Sequence, residues 1–296
     1  MFIVKYKSIF IGLSLALAII SIVAISKFGI KKGIDFTGGT IIETSYVGLA
    51  PTSTVELSQF KTLQIEAFQT GTSSYKFISS LSYEDMSSKI KPILTEGDQY
   101  QYKEDSIVSV GPTMGSEMTK KAIIAIVIVV FAILLFIAFA FREVSKPVSS
   151  WKYGTIAMVT LVHDILLPTG IYVWLSYARG AQIDTLFVIA LLTILAISIS
   201  DKIVVFDRIR ENLRLNLKKD FGEVVGISLR QTFTRSINTS VTVVLALVAL
   251  YWFGPVTTKF FAFTLMMGMI VGTYSSIFVA SPLLVVWNNR HLKNKK

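Results

Sequence analysis

The sequence has no cysteine and only two histidines, His163 and His291, among its 296 residues. The missing thiols exclude disulfide bonds, a cysteine nucleophile and cysteine-ligated zinc or iron–sulfur sites, and two histidines are too few for a histidine-rich metal centre. Charge is also scarce, because Asp, Glu, Lys and Arg make up 16% of the chain, against about 25% in soluble domains. With 52% hydrophobic residues and a mean hydropathy of +0.62, the composition excludes an ordinary water-soluble fold and indicates a membrane protein.

Long apolar runs make up much of the rest of the chain. A helix needs about 20 apolar residues to cross the hydrocarbon core of a bilayer, so these runs predict an α-helical polytopic membrane protein with six transmembrane helices. The predicted spans are Ser8–Ser26, Ala122–Phe141, Tyr153–Ala178, Thr185–Phe206, Ser236–Thr258 and Phe260–Asn289. The alternative for the first run is a signal peptide cleaved near Ala24-Ile25-Ser26, but its apolar core exceeds the usual length of about 7–15 residues. We therefore expect an uncleaved anchor.

Residues 29–120, between the first two spans, predict a small α+β domain. Short β-branched or alternating segments bounded by Gly, Pro and Ser indicate strands, and a capping box at Ser53 and Glu56 indicates a helix start. The predicted elements are strand Ile34–Val47, helix Ser53–Gln69, strand Ser74–Leu81, helix Tyr83–Leu94 and strand Gln99–Gly111. No paired carboxylates or Ser/His arrangement stand out in this domain, so we do not expect an enzyme.

Lys and Arg are distributed unevenly around the spans, although the net charge is +10. Both chain ends and the loops after spans two and four are basic, whereas the alternate short loops hold only Arg179 and Lys259. The positive-inside rule therefore predicts two cytoplasmic termini and an extracytoplasmic α+β domain. The basic surplus is expected to contact anionic lipid rather than nucleic acid.

The expected organisation follows from these boundaries. Residues 1–28 hold the N-terminal end and the first span, residues 29–120 the α+β domain, residues 121–289 a five-helix membrane domain, and residues 290–296 a basic cytoplasmic tail. Within the membrane domain, residues 207–233 combine charges with apolar residues near helical spacing, which is typical of an amphipathic helix on the inner membrane surface. A helix that docks a partner is the alternative for this segment.

Ionisable residues inside the spans are candidates for function, because each costs about 2.5–3.5 kcal/mol to insert. Asp164 lies in span three, and Asp201 and Lys202 lie in span four, so that the two carboxylates are expected at comparable depth. Ser198 precedes Asp201 by one helical turn and shares its face. We expect the long side chain of Lys202 to reach toward the cytoplasmic edge.

Two interpretations of these residues remain open. In the first, Asp201 and Asp164 form a proton relay that Arg235, at the start of span five, tunes by its charge. In the second, Asp201 pairs with Arg235 or Lys202 and simply joins helices. The supporting polar groups are Ser198, Asn238, Thr239 and His163. The histidine beside Asp164 is a candidate proton shuttle, with a hydrogen-bonded packing role as the alternative.

Six stretches stand out along the chain as possible family motifs: residues 33–40 (GIDFTGGT), 110–117 (VGPTMGSE), 162–164 (VHD), 198–212 (SISDKIVVFDRIREN), 231–240 (QTFTRSINTS) and 272–282 (GTYSSIFVASP). In this order, they resemble motifs of the SecD/SecF protein-export family. The first stretch resembles the family's glycine signature, with Gly33, Asp35, Phe36, Gly38 and Gly39, and we expect it to act as a hinge.

The resemblance implies a protein of the resistance-nodulation-division superfamily in the bacterial cytoplasmic membrane. It implies a heterodimer with a SecD-like subunit that associates with the SecYEG channel, with YajC and YidC as further candidate partners. Such a subunit assists the translocation of exported polypeptides and uses the proton-motive force, with protons as the coupling ion and no other cofactor. The family's membrane carboxylate falls on Asp201, its basic partner on Arg235 and its His-Asp motif on Asp164.

One departure and two alternatives accompany this resemblance. The family often has Gly-Tyr-Ser-Ile-Asn-Asp where this chain has Ala196-Ile197-Ser198-Ile199-Ser200-Asp201, so we expect proton access to differ in detail. One alternative function is half of a proton-driven efflux pump for small molecules or lipids, although such pumps commonly have twelve spans. The other is a passive scaffold of the channel, in which neutralising Asp201 would be harmless.

Overall fold

The computed structural model describes residues 2–47, 58–95, 99–140, 150–215 and 219–293. These residues form two compact units. The α+β unit comprises Ile30–Ile124 and Ser176–Thr185, and the helical unit comprises Met1–Gly29, Ala125–Leu175 and Leu186–Lys296. The predicted α+β domain therefore includes a short connection at 176–185, which the sequence boundaries assign to the membrane domain.

A small sheet lies between the first two long helices of the chain, and the remaining long helices follow it. The helices are α1 Phe2–Lys5, α2 Lys7–Phe28, α3 Ile34–Thr37, α4 Ser58–Thr62, α5 Tyr83–Thr95, α6 Pro112–Ala140, α7 Ser150–Arg179, α8 Thr185–Leu215, α9 Phe221–Phe253, α10 Val256–Ser275 and α11 Ser281–Lys293. The strands are β1 Gly39–Tyr46, β2 Glu66–Gln69, β3 Ser74–Ser79 and β4 Tyr102–Val110. A π-helical turn, Ser276–Ala280, joins α10 to α11.

Six stretches of described residues are long and apolar enough to cross a membrane, which confirms the six predicted spans. They are α2, α6, α7, α8, α9 and the run from α10 through α11. Some of these helices begin well before the apolar run. Helix α6 starts at Pro112 rather than Ala122, because proline is favoured in the first turn of a helix, where its missing N–H is not needed.

The prediction of an amphipathic helix on the inner membrane surface at residues 207–233 is wrong. Residues 207–215 continue α8 and residues 221–233 begin α9, and Ile209, Val224 and Leu229 are completely buried in the main core of the helical unit. Their apolar faces pack within the protein rather than on a lipid surface. Asp220 begins α9 as its N-cap and accepts a hydrogen bond from the backbone N–H of Gly222 at 2.9 Å.

The sheet of the α+β unit has the order β2-β3-β1-β4, and each neighbouring pair is antiparallel. Strands β3 and β4 confirm the predicted strands Ser74–Leu81 and Gln99–Gly111, and α5 confirms the predicted helix Tyr83–Leu94. The first predicted strand begins later than expected. Residues 34–37 form α3, and Gly38 and Gly39 then turn the chain into β1 with φ angles of 75° and 131°.

The predicted helix Ser53–Gln69 is only partly correct. Residues 53–57 lie outside the described residues, α4 covers 58–62, and residues 66–69 form β2 instead of helix. Gln64, with a φ of 63°, turns the chain between the two elements. Pairing of β2 with β3 gives the domain four strands where the sequence predicts three.

Helix α5 covers the sheet with one apolar face. Met86, Ile90 and Leu94 recur every four residues, and all three are buried with Ile42 of β1 and Phe77 of β3 in one cluster. The alternating burial along β1 places Ile42 on this face of the sheet. The α+β unit therefore has a hydrophobic core of its own.

The π-helical turn between α10 and α11 precedes Pro282, the second residue of α11. In a regular α-helix the ring of Pro282 would clash with the carbonyl of Phe278, four residues earlier. The wider turn accommodates the proline, and the Ser281 hydroxyl donates to the carbonyl of Ser276, five residues back, at 3.2 Å. Such turns occur often at functional sites, and this one directly follows Ser275.

Candidate functional site

An ion pair lies inside the bundle of the helical unit. Asp164 of α7 and Lys202 of α8 are both 0% exposed, and the Lys202 Nζ is 2.5 Å from the Asp164 Oδ2. Both residues occupy the middle of apolar helices, where an isolated charge is expensive. The pair is therefore a charge-neutral link between two transmembrane helices.

Three further side chains complete the hydrogen bonding of Asp164. The hydroxyls of Ser198 on α8 and Ser275 on α10 donate to its Oδ2, the second at 2.8 Å, and the Nδ1 of His163 lies 3.0 Å from its Oδ1. Lys202 also donates to the Ser198 hydroxyl at 2.5 Å. Both carboxylate oxygens thus have partners, as a buried charge requires. We call these five residues, which come from three helices, the Asp164 cluster.

The expectation that Lys202 reaches the cytoplasmic edge is wrong. Its side chain stays inside the bundle, because a carboxylate on the neighbouring helix lies at the same depth and neutralises its charge. Removing one member of a buried ion pair costs about 3–5 kcal/mol, since the other charge is left uncompensated. The contact between α7 and α8 therefore depends on keeping both members of the pair.

Asp201 belongs to a second, smaller group of polar side chains. Its Oδ2 accepts a hydrogen bond from the Thr273 hydroxyl of α10 at 3.3 Å, and Thr273 is itself bonded to the Ser240 hydroxyl of α9. The Asp201 side chain is half-buried. Ser198, expected to support Asp201, is bonded to Asp164 and Lys202 instead, because Ser198 and Lys202 are four residues apart on the face of α8 that contacts Asp164 of α7.

The predicted contact between Asp201 and Arg235 is absent from the described residues, whose ion pairs closer than 4.0 Å do not include it. Arg235 is exposed on α9, as are Asn238 and Thr239. Arg235 borders a polar cleft of about 360 Å³ between α8 and α9, together with Arg208 and other polar residues. Three of the polar groups predicted to face the bundle therefore face outward in a single chain.

Two glycines of α10 let it approach α8 closely. A Cβ atom on Gly268 would lie 2.2 Å from Ile194, and one on Gly272 would lie 3.3 Å from the Cβ of Ser198. The two glycines have a Gly-x-x-x-Gly spacing, which lets helices pack closely. This approach brings Ser275, three residues after Gly272, within reach of Asp164.

The glycine signature lies in the α+β unit, where its residues are closely packed. A Cβ on Gly38 would lie 2.9 Å from the Cα of Pro112, and one on Gly39 would lie 2.4 Å from the carbonyl oxygen of Ser79. The Phe36 carbonyl accepts a hydrogen bond from Thr119 at 3.3 Å. Close packing is thus one reason for glycine at these positions. The expectation that the glycine signature acts as a hinge remains a prediction.

Ser275 and Thr273 are site residues that the sequence does not predict. Both are small hydroxyl residues in an apolar span, which is a weak signal, since such residues commonly bond to their own helix backbone. Ser275 does so too, donating to the Gly272 carbonyl at 3.1 Å as well as to Asp164. Their position in the GTYSSIFVASP stretch, which resembles a family motif, was the sequence feature that could have indicated a role for them.

Comparisons with known proteins agree with this architecture. The family described as "Protein export membrane protein SecD/SecF, C-terminal" matches residues 89–290, and the "SecD/SecF GG Motif" matches residues 23–47. The "Protein translocase subunit SecF" of Thermobaculum terrenum is 39% identical over 97% of this chain and 94% of its own length. The protein of the same name from Anaerolinea thermophila is 34% identical, with the same coverage of both chains.

Solved structures give the same result. The crystal structure of SecDF, "a translocon-associated membrane protein", from Thermus thermophilus superimposes with a TM-score of 0.82 at 30% identity. The match covers 97% of this chain but only 38% of the SecDF chain, so this chain spans less than two fifths of that protein. From its family matches and the similarity to relatives over nearly its whole length, this chain belongs to the SecD/SecF family of protein-export membrane proteins.

Proposed function

We propose that this protein is a subunit of the bacterial Sec protein-export machinery that works with a SecD-like partner and uses the proton-motive force to assist translocation. The relatives' name, protein translocase subunit SecF, supports the export role, and the description of SecDF as translocon-associated supports a location beside the channel. The partners proposed for this chain are a SecD-like subunit, the SecYEG channel, and YajC and YidC. The exported polypeptide is the substrate.

The observation that carries the proton-coupled part of the proposal is the Asp164–Lys202 ion pair. A proton that neutralises Asp164 abolishes its attraction for Lys202 and leaves a buried cation without a counter-ion. A shift of α8 relative to α7 would relieve this buried cation, because packed interfaces change between discrete arrangements rather than deforming continuously. Proton uptake and helix movement are thereby linked at one site.

Asp201 and Arg235 have roles in the same proposal. Asp201 lies beside Lys202 in sequence and is half-buried, so it is more accessible to water than Asp164. Arg235 borders a polar cleft that also contains Val204, which lies one turn after Asp201 on α8. We propose that protons reach Asp201 from this cleft and that the charge of Arg235 modulates their binding.

The exposed polar residues of α9 support a partner subunit. Arg235 and Asn238 would be exposed to lipid in a single chain, where a polar group without a partner costs several kcal/mol, whereas the Thr239 hydroxyl donates to the Arg235 carbonyl of its own helix. A second six-helix subunit packed on this face would satisfy them. We propose the heterodimer on this ground, with a location in the cytoplasmic membrane.

The proposed orientation has both termini in the cytoplasm and the α+β unit outside. The chain contains no cysteine, so single cysteines can be introduced without a background. A cysteine at exposed Ser88 in α5 should react with a membrane-impermeant maleimide in intact spheroplasts, and one at exposed Lys5 should react only after lysis. The reverse pattern would contradict the orientation.

The decisive experiment measures translocation of a secreted precursor into inverted membrane vesicles, with and without a proton gradient. Asp164→Asn and Asp201→Asn keep side-chain size but remove titration, so each should abolish the gradient-dependent part of translocation. Asp105→Asn, at an exposed position in β4, is the matched control and should behave as the parent protein. Full gradient-dependent translocation by both membrane variants, at equal protein levels, would support the passive scaffold instead.

A further inference from the structure

The glycine signature of the α+β unit binds the connection between α7 and α8 through its backbone. Ile183 donates to the Lys31 carbonyl at 2.9 Å, and Gly33 donates to the Ile183 carbonyl at 2.7 Å. A parallel β-bridge pairs Lys32 with Ile183. A side chain at Gly33 would be tight here, because a Cβ would lie 3.0 Å from the Ile183 carbonyl oxygen. The connection is therefore a fixed part of the unit rather than a free loop.

Asp35 extends this backbone contact to the start of α8. Its carboxylate Oδ2 accepts a hydrogen bond from the backbone N–H of Thr185, the first residue of α8, at 2.9 Å. The first N–H groups of a helix have no partner within the helix and carry its positive dipole end. A carboxylate supplied by a distant segment therefore caps this helix.

The segment that carries Asp35 is itself firmly held. Gly38 donates to the Ile34 carbonyl at 2.8 Å and so closes α3. A Cβ on Gly115 of α6 would lie 2.7 Å from the backbone nitrogen of Gly38, and Thr119 donates to the Phe36 carbonyl. Asp35 therefore has a fixed position within the α+β unit.

Helix α8 transmits a displacement of its first turn without a break. It runs from Thr185 to Leu215 with no proline or glycine, and it carries Ser198 and Lys202 of the Asp164 cluster. Lys202 is seventeen residues, or about 25 Å, from the first residue of the helix. Thr185 and Lys202 therefore belong to one uninterrupted helix.

We propose that Asp35 is a positioning residue, which fixes the start of α8 and thereby sets the position of Lys202 relative to Asp164. Through this carboxylate, the α+β unit and the buried charge pair are linked by one rigid helix. A movement of the α+β unit therefore displaces Lys202, and a displacement of Lys202 moves the α+β unit. The link to translocation rests on the proposed function, whereas the contact itself is tested without it.

The first test is backbone amide hydrogen exchange of the purified protein. Asp35→Ala should increase exchange in the first turn of α8, residues 185–188, by about tenfold, because a hydrogen bond to a charged acceptor is lost. Exchange in α5 should not change, which shows that the domain remains folded. Asp35→Asn, whose amide oxygen still accepts the bond, should remain near the parent rate. Unchanged exchange at 185–188 in Asp35→Ala would overturn the proposal.

The second test removes the donor instead of the acceptor. Thr185→Pro deletes the N–H at a first helical position, where proline is tolerated. Each single variant, Asp35→Ala and Thr185→Pro, should reduce gradient-dependent translocation several-fold, and the double variant should be no worse than either. Asp105→Ala is the matched control. If Asp35→Ala added its full effect in the Thr185→Pro background, Asp35 would act elsewhere and the positioning role would be refuted.

The two tests separate the positioning role from the proposed function. If the parent protein shows no gradient-dependent translocation, the proposed function fails, but faster exchange at 185–188 in Asp35→Ala still supports the contact. If the parent responds to the gradient and Asp35→Ala responds equally, the function stands and the positioning role is refuted.

Discussion

Replacing Lys202 with methionine removes the ammonium group beside Asp164 and keeps an unbranched side chain of similar length. The Asp164 carboxylate retains the hydroxyls of Ser198 and Ser275 and the ring of His163, but it loses its counter-ion. Breaking a buried ion pair on one side costs about 3–5 kcal/mol. We therefore expect Lys202→Met to lower the free energy of unfolding by that amount at pH 7.

Protonation of Asp164 in this variant leads to a similar loss of stability. Without Lys202, Asp164 can avoid an uncompensated charge by taking up a proton from water. For a carboxyl group with an ordinary pKa of about 3.9, this uptake costs about 4 kcal/mol at pH 7 and about 1.4 kcal/mol less for each unit by which the pH falls. The loss of stability in Lys202→Met should therefore shrink as the pH is lowered from 7 to 5.

The assay is equilibrium unfolding of the purified protein in mixed detergent micelles, followed by the fluorescence of its four tryptophans. The double variant Asp164→Asn, Lys202→Met removes both charges and should recover most of the stability that Lys202→Met loses. Lys91→Met, at an exposed position in α5, is the control for the change of residue type. It should unfold as the parent does.

Three results would each refute a part of this reasoning. If Lys202→Met were as stable as the parent, the pair would contribute no net stabilisation across the α7–α8 contact. If the double variant were less stable than Lys202→Met, the loss would come from packing or hydrogen bonding rather than from an uncompensated charge. A pH-independent loss would likewise exclude proton uptake by Asp164.

Three further predictions concern single contacts. The pKa of Tyr83 is raised because Glu104 accepts its phenolic hydrogen at 2.9 Å and repels the phenolate, so Glu104→Gln should lower the midpoint of an ultraviolet absorbance titration; an unchanged midpoint would contradict this. Gly39→Ala should destabilise the α+β unit by about 1–3 kcal/mol or more, because its φ of 131° is strained for other residues, whereas Gly111→Ala, with open space around its Cβ position, should be tolerated in the same unfolding assay. Ser275→Ala removes a hydrogen bond to a carboxylate and should cost about 1.5–3 kcal/mol in detergent unfolding, and a loss below about 0.5 kcal/mol would argue against that bond.

Local patterns gave much of the architecture in advance. The spans could be predicted because each apolar run matches the bilayer thickness independently of its neighbours. The strands β3 and β4 and the helix α5 could be predicted because their burial follows the period of the element. Prediction failed where tertiary contacts override local preference. Residues 66–69 pair with β3 although their sequence continues a helical pattern.

Within the site, the sequence identified Asp164, Asp201 and Lys202, because an ionisable residue in an apolar run is conspicuous at any position. It did not identify their partners. Lys202 was expected at the membrane edge, and Arg235 was expected beside Asp201, yet Lys202 bonds to Asp164 and Arg235 is exposed. Ser275 became a member of the cluster only through the close approach of α10 to α8.

Hydropathy and periodicity by themselves determined that the chain spans a membrane six times, has a small α+β domain, and contains a few charges in its spans. Only the tertiary structure decided which of these charges neutralise one another and that Asp35 caps α8 from 150 residues away. The physical reason is that burial and backbone hydrogen bonding act along a single helix, so the sequence of that helix is enough to predict it. The energy of a charge depends on the distance to its partner, which helix packing alone sets.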